Sequence, residues 1–323
     1  MHAKVYIGVN GDVTDAVLFE NGEPVKRRTF TSCSASGCIY RGKVEKVISA
    51  GAFVDIGRAR QAFLSPADGL KRGDFVTVQA LREEEGEKGC LLTRELSLSG
   101  KYAVVLGSDV RRFSGRLGEV KREFLKQNFP EEKGLIFRSA CKDGSVEAIR
   151  EDIISLKEKL SEIIDEGKNL YEIKLIFTPD RIDEIKNSAD EAVFSLDEIK
   201  PLLEEAEERE VIYKNAVLVF DKTEAMTVID VNSRTDYNYS DTEAMAYDVN
   251  LNAVEGICRQ LVLRNIGGMA AVDFITMKDE THWKKVCEKF SFGVKKTDKT
   301  ARIFAVKELG VVLVGLKKNY SSI

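Results

Sequence analysis

The sequence predicts an α/β protein carrying an inserted small β-barrel. Three observations predict it. Residues 215–275 read as strand, strand, long helix and strand, the order of an α/β unit with a returning helix. Residues 38–98 hold five short strand-like runs broken by glycines. Residues 116–128, 146–164 and 196–209 show apolar residues at helical spacing between short apolar runs. A chain of 323 residues is too long for one small core, so two or more subdomains are expected.

The first thirty residues read as strands around turns. KVYIGVN and AVLFENGEPVKRRTF alternate, and NG is a hairpin signal. TSCSASG follows as a small-residue linker. The runs IYRGKVEKVI, GAFVDIG, QAFLSPAD, FVTVQALREE and KGCLLTREL come next, with Gly42, Gly51, Gly57, Gly73, Gly86 and Gly89 at the bends. Five short strands in about sixty residues fit a closed barrel of the OB type. GLIFRSA at 134–140 and YEIKLIFT at 171–178 read as strands. In the last third, NAVLVFDKTEAMTVIDVNS reads as two strands joined by DKTE. The helix after it places residues 244, 247, 251, 254, 257, 258 and 261 on one apolar face. Ser240 or Asp241 can cap its start, and Gly267–Gly268 can end it. MAAVDFITM is a strongly apolar strand with one carboxylate, Asp273.

Composition is that of a globular protein, 43% hydrophobic and 32% charged, and no apolar run reaches the length of a membrane helix. The start MHAKVYIGVNGDV lacks the pattern of a signal peptide. Six scattered cysteines without a CxxC pair, and only two histidines, argue against a disulfide framework or a structural zinc site within this chain. A reducing cytoplasm is expected. Net charge is −4, so global charge does not announce a nucleic-acid binder. The distribution is segmented, however. Residues 37–82 carry eight Lys/Arg against four acids and 111–126 carry six against two, whereas 151–210 carry 19 acids against eight bases. The acidic stretch reads as a solvated helical face.

The run TVIDVNS carries the chemistry. Asp and Asn are poor strand residues and costly to bury without partners. Side chains alternate along a strand, so Asp230 and Asn232 share a face near its end. Asp273 interrupts a second apolar strand, and the helix between them is long enough to bring the two strands together. Two carboxylates and an amide oxygen would then converge. Two nearby carboxylates repel, and a hard divalent cation removes that repulsion. Mg²⁺ accepts one or two carboxylates plus waters and phosphate oxygens. Each Asp can instead cap a turn at a strand end, or pair with Arg234 or Arg264.

TEAMTVIDVNS, followed by NLNAVEGICRQLVLRNIGGMAAVDFITM, closely resembles the catalytic segment of the ribonuclease E/G family. The resemblance implies a multi-subdomain α/β (α+β) chain. Its parts would be an RNase H-like subdomain split between residues 1–36 and 171–212, an S1-type OB-fold at 37–100, a 5′-sensor region at 101–170 and a DNase I-like catalytic part at 213–323. It implies Mg²⁺-dependent endonucleolytic cleavage of single-stranded RNA, ribosomal RNA precursors among the substrates, with Mn²⁺ as a possible substitute metal. Asp230 and Asp273 fall on the family's metal-binding aspartates and Asn232 on its asparagine. Phe53, Phe63 and Lys88 fall on RNA-contacting positions of the barrel, although GAFVD can also feed a barrel core. Arg138 and Ser139 fall on the pair that binds a substrate 5′-monophosphate, for which a guanidinium fork and a hydroxyl are suited.

The pattern departs from the family in three places. The region from Arg138 to 210 is shorter. Glu308 stands where an RNA-contacting Arg is expected, and a carboxylate repels phosphate. The zinc-link cysteines that organise family oligomers are not seen before Ile323, which leaves the oligomeric state open. An RNA-binding or ribosome-associated factor with weak or no nuclease activity is the alternative.

Overall fold

The computed structural model describes residues 2–84, 87–130, 132–234 and 241–317. The chain divides into two compact units. One joins the residues up to Phe30 to those from Ala192 onward, and the other is Thr31–Glu191.

In the first unit β1 (Ala3–Asn10) pairs antiparallel with β2 (Val13–Glu20), and β3 (Glu23–Thr31) lies beside β2. Asn21 and Gly22 both take positive φ between β2 and β3, the backbone that an Asn-Gly hairpin turn requires.

The inserted unit begins with the barrel: β4 (Ile39–Ile48), β5 (Gly51–Asp55), β6 (Ala62–Leu64), β7 (Phe75–Arg82) and β8 (Leu91–Thr93). Their order is β4-β5-β6-β8-β7, and β7 closes back on β4. Only β6 and β8 run parallel. This closed five-strand arrangement is OB-like, as expected. Alternating residues such as Val44, Ala52, Val54, Leu64, Val78 and Leu92 fill the interior. The small-residue linker is pinned to this barrel, because the amides of Ala35 and Ser36 donate to the Glu83 carboxylate. A second sheet follows, of β9 (Ser97–Ser99), β10 (Ala103–Leu106) and β11 (Arg111–Phe113), then α1 (Glu119–Asn128) and β12 (Leu135–Phe137). The amphipathic α2 (Val146–Asn169) covers it, burying Ile149, Ile153 and Leu160 with Leu135 and Phe137. β13 (Lys174–Phe177) then joins the barrel sheet on β4, and α3 (Arg181–Lys186) ends the insertion. The expected grouping of 171–212 with the first strands differs here: residues 171–191 stay with the insertion because β13 hydrogen-bonds to β4.

The chain returns with β14 (Glu191–Phe194) on the free edge of β1, followed by α4 (Leu196–Glu207). Gly8 of β1 lets α4 approach, since a Cβ there would meet the Leu196 side chain at 2.7 Å. A six-stranded sheet follows, of β15 (Glu210–Tyr213), β16 (Ala216–Lys222), β17 (Met226–Ser233), then α5 (Thr242–Leu263), β18 (Gly268–Asp273), α6 (Glu280–Thr297), β19 (Arg302–Val306) and β20 (Val311–Leu316). The order is β15-β16-β17-β18-β20-β19. β17, α5 and β18 form a parallel βαβ crossover.

Two details of this unit correct the expectations, and a third agrees with them. α5 buries more than the predicted stripe: Ala246, Val249, Ala253, Val254 and Ile257 are all covered, whereas Ala244 is exposed. The cause is that α5 packs both on the sheet and on α6, whose Trp283, Val286 and Phe290 enter the same core. Asp241 caps α5, accepting from the amides of Glu243 and Ala244, while Ser240 lies outside the described residues. The left-handed residue after α5 is Asn265, and Gly268 begins the next strand.

Candidate metal and RNA site

The strands bearing Asp230 and Asp273 are not buried on both faces. In β17 the residues Thr227, Ile229 and Val231 point into the core, while Val228, Asp230 and Asn232 are exposed. In β18 Ala270 and Val272 are buried and Asp273 is exposed. Both helices of this unit's core lie on one side of the sheet, so polar residues on the other side need no buried partner.

Asp230 and Asp273 are register partners across the parallel β17–β18 pair. Neighbouring strands lie about 4.8 Å apart, so the two carboxylates leave adjacent backbones on the same face. They sit toward the carboxyl ends of these strands, where open α/β sheets gather ligands. Asn232 Nδ2 donates to Asp230 Oδ2 at 2.8 Å, which orients that carboxylate. Arg264 is not their partner: it donates to Gln260 and to the carbonyls of Glu205 and Glu208, and its guanidinium lies 3.9 Å from the centre of the Phe220 ring.

Several residues that the sequence did not single out hold the segment after Asp273. Asn250, wholly buried in α5, donates from Nδ2 to the Ile275 carbonyl (2.8 Å) and accepts at Oδ1 from the Ile275 amide (3.1 Å). Glu243 accepts from the amides of Lys278 and Asp279 and lies 3.1 Å from His282 Nδ1. These bonds, led by the Lys278 amide, hold the Glu243 carboxyl below the usual range. The His282 ring stacks on Tyr247 with centroids 4.1 Å apart. On the other flank, the Phe274 amide donates to the Gly310 carbonyl. Gly310 has φ +69° and sits so close that a Cβ would stand 4.0 Å from Asp273 Oδ1. The turn Lys307–Leu309, with Glu308 exposed, therefore borders the carboxylate pair. An Asn in mid-helix, where it is a poor helix former, was the signal available for Asn250.

The donor set suits a hard cation. It consists of two facing carboxylates and an amide, all with oxygen to offer. Among the described residues no group of three or more His, Cys, Asp or Glu side chains forms a metal cluster. Two carboxylates that leave the rest of the shell to water and phosphate are what Mg²⁺ accepts.

In the inserted unit, Phe53 and Phe63 are register partners on the outside of the barrel. Their rings meet edge-to-face, 5.5 Å between centroids, and neither enters the core, whose residues Ala52, Val54, Ala62 and Leu64 alternate with them. Lys46 is the next partner across from Phe53, and it lines a groove with Val47, Gln61, Lys71 and Arg72. Lys88 is exposed on the loop into β8. Its neighbour Gly89 cannot carry a side chain, because a Cβ would stand 2.0 Å from the Gln61 carbonyl oxygen. Arg138 is half-buried at the end of β12, donating through Nη1 to Gly100 O (2.6 Å) and through Nη2 to Glu184 O (3.4 Å). Ser139 opens the short 3₁₀ turn that follows. Part of the Arg138 fork thus serves the fold, and a guanidinium has five N–H donors to divide.

Residues 175–319 match the model of the Ribonuclease E/G family. Ribonuclease G of Salmonella typhimurium is 26% identical over 359 aligned residues, covering 89% of this chain and 73% of that protein. Ribonuclease E of Escherichia coli is 29% identical over 345 residues, covering 85% of this chain and 32% of that protein. Ribonuclease E of Buchnera aphidicola is 28% identical over 319 residues, 77% of this chain and 35% of that protein. The chain therefore spans about a third of these two E-type relatives.

Proposed function

We propose that this relative of ribonucleases E and G is an endoribonuclease that cleaves single-stranded RNA by metal-dependent hydrolysis. The observation that carries the reading is the register pairing of Asp230 with Asp273 on the open face of the sheet. Asp230 and Asp273 would hold Mg²⁺, with Mn²⁺ as a substitute. A cation bound there supplies positive charge to the scissile phosphate and acidifies a water for attack. Asn232 fixes the Asp230 carboxylate so that its second oxygen stays presented. Asn250 and Glu243 hold the backbone after Asp273 and keep that carboxylate at the strand end. Hydrolysis would leave 5′-phosphate and 3′-hydroxyl ends.

Phe53 and Phe63 offer ring surface on which bases stack, and Lys88 offers charge to the backbone. Arg138 and Ser139 would read the substrate's 5′-monophosphate. The RNase H-like and DNase I-like assignments, ribosomal RNA precursors as substrates and a bacterial cytoplasmic location belong to the same reading. Six free cysteines agree with a reducing compartment, and no helix among the described residues is long and apolar enough to cross a membrane.

The test is cleavage of a 5′-monophosphorylated single-stranded RNA with and without Mg²⁺, by the wild type and by Asp230→Asn and Asp273→Asn. Outer-shell changes at metal sites cost about 10–100-fold, so loss of a ligand is expected to cost more than a hundredfold while RNA binding persists. Equal cleavage by either variant would refute the metal assignment.

A further inference from the structure

The open face carries a second feature beside the carboxylates. Val228, Ala271, Leu313 and Phe304 form a cross-strand row, each the register partner of the next. The row lies two residues along β17 and β18 from Asp230 and Asp273. Phe304 is 63% exposed and Leu313 41% exposed. Arg302 stands two residues from Phe304 on the same side of β19 and is exposed. Its register partner is Gly315, which brings no side chain against it. Its guanidinium enters no ion pair among the described residues.

We propose that Phe304 and Arg302 form a nucleotide subsite for the substrate strand, the base stacking on the Phe304 ring and a phosphate meeting the Arg302 guanidinium. This rests on the RNA-cleaving reading above and extends it to residues that the metal chemistry does not use. Strand spacing places the Phe304 backbone two strands over and two residues along from Asp273, about 12 Å away. A single strand whose scissile phosphate lies at the carboxylates reaches that point with a neighbouring nucleotide. Charge selects this occupant over a protein. The cores of protein interfaces shed charged residues, yet here the apolar row has two carboxylates on one side and, on the other, the register row Met226, Met269, Gly315 and Arg302, which ends beside Phe304 in a guanidinium without an ion pair among the described residues. An exposed ring beside a cation is how single-stranded nucleic acid is held without sequence preference. Arg is the cation of choice because its fork matches phosphate geometry.

The test uses the full chain with divalent metal chelated and a short fluorescent single-stranded oligoribonucleotide. Phe304→Ala is expected to weaken binding about tenfold, the equivalent of roughly 1.4 kcal/mol of lost stacking. Phe304→Tyr should restore it. Arg302→Gln should weaken binding and lower the slope of log affinity against log salt by about one. Phe292→Ala, which removes an equally exposed ring from α6 (66% exposed), should change nothing. Ultraviolet crosslinking of a 5-iodouridine oligonucleotide should attach at Phe304. The subsite is overturned if the wild type binds RNA and Phe304→Ala binds it equally well. It is likewise overturned if Phe304→Ala changes sedimentation instead, which would mark the row as a self-association surface. If the wild type binds no RNA, the wider reading falls with it. If Asp273→Asn cleaves normally but Phe304→Ala loses affinity, the metal assignment fails and the subsite stands.

Discussion

Asn250 grips Ile275 with both halves of its amide, donating to the carbonyl and accepting from the N–H of the same residue. Ile275 is two residues beyond Asp273, so this bond pair sets where β18 stops and how its last carboxylate is presented. Asn250→Ala leaves both Ile275 groups without these partners, at a cost of about 1–3 kcal/mol for each. We expect a lower melting temperature and, in protein still folded, a higher Mg²⁺ concentration for half-maximal cleavage. An unchanged metal titration would show that the clamp serves stability alone.

Glu243 makes the same segment sensitive to acid. Its native carboxyl is held below the ordinary range by the Lys278 amide first, with the Asp279 amide and His282 adding to it. A depressed native value means the stabilisation is complete above the ordinary glutamate range and disappears as pH falls through the lowered value. Asp279, held down by the amides of Thr281 and His282, acts in the same direction at the start of α6. Amide exchange at Lys278 and Asp279 should therefore lose protection together below about pH 4.5. In Glu243→Gln that protection should be lower and less sensitive to pH, with Asp279 alone still titrating.

Glu308 sets a negative charge in the turn that borders Asp273. Glu308→Arg should strengthen binding of single-stranded RNA and steepen its salt dependence, since a repelling group becomes a phosphate contact. A salt titration of affinity decides this. An unaltered slope would place Glu308 away from the RNA path.

The Phe53–Phe63 pair lies on the surface of the barrel, outside its packed interior. Phe53→Ala should cost about 1–3 kcal/mol in RNA affinity if one base stacks there. The melting temperature should change far less than for a core residue such as Val54, which is wholly buried. A large loss of stability with unchanged affinity would reverse the assignment.

Much of this was legible because it depends on local pattern. Alternation put Asp230 and Asn232 on one face, NG marked the β2–β3 turn, and glycine spacing outlined the barrel. Which faces of the two acid-bearing strands are covered was not legible, because apolar runs look alike whether one face or two are covered, and only the position of α5 and α6 decides it. The pairings of β13 with β4 and β14 with β1 were not visible. Those strands are four residues long and half exposed, and each is held by a partner more than a hundred residues away. Glu243 was not legible for a related reason, since two of its partners are backbone amides in a loop, which leave no mark in residue type, and Asn250 was marked only by being an Asn in mid-helix.

The division of the chain has a consequence for biosynthesis. Thr31–Glu191 is one uninterrupted stretch, whereas β1 to β3 belong with residues that follow Ala192. Emerging from the ribosome, the hairpins at the amino end must wait, with the β1 edge that β14 later covers still open, while the barrel and α2 can already condense. Such waiting edges invite chaperones or wrong neighbours. Synthesis of Thr31–Glu191 by itself should yield a cooperatively melting body, and the amino-terminal hairpins alone should not.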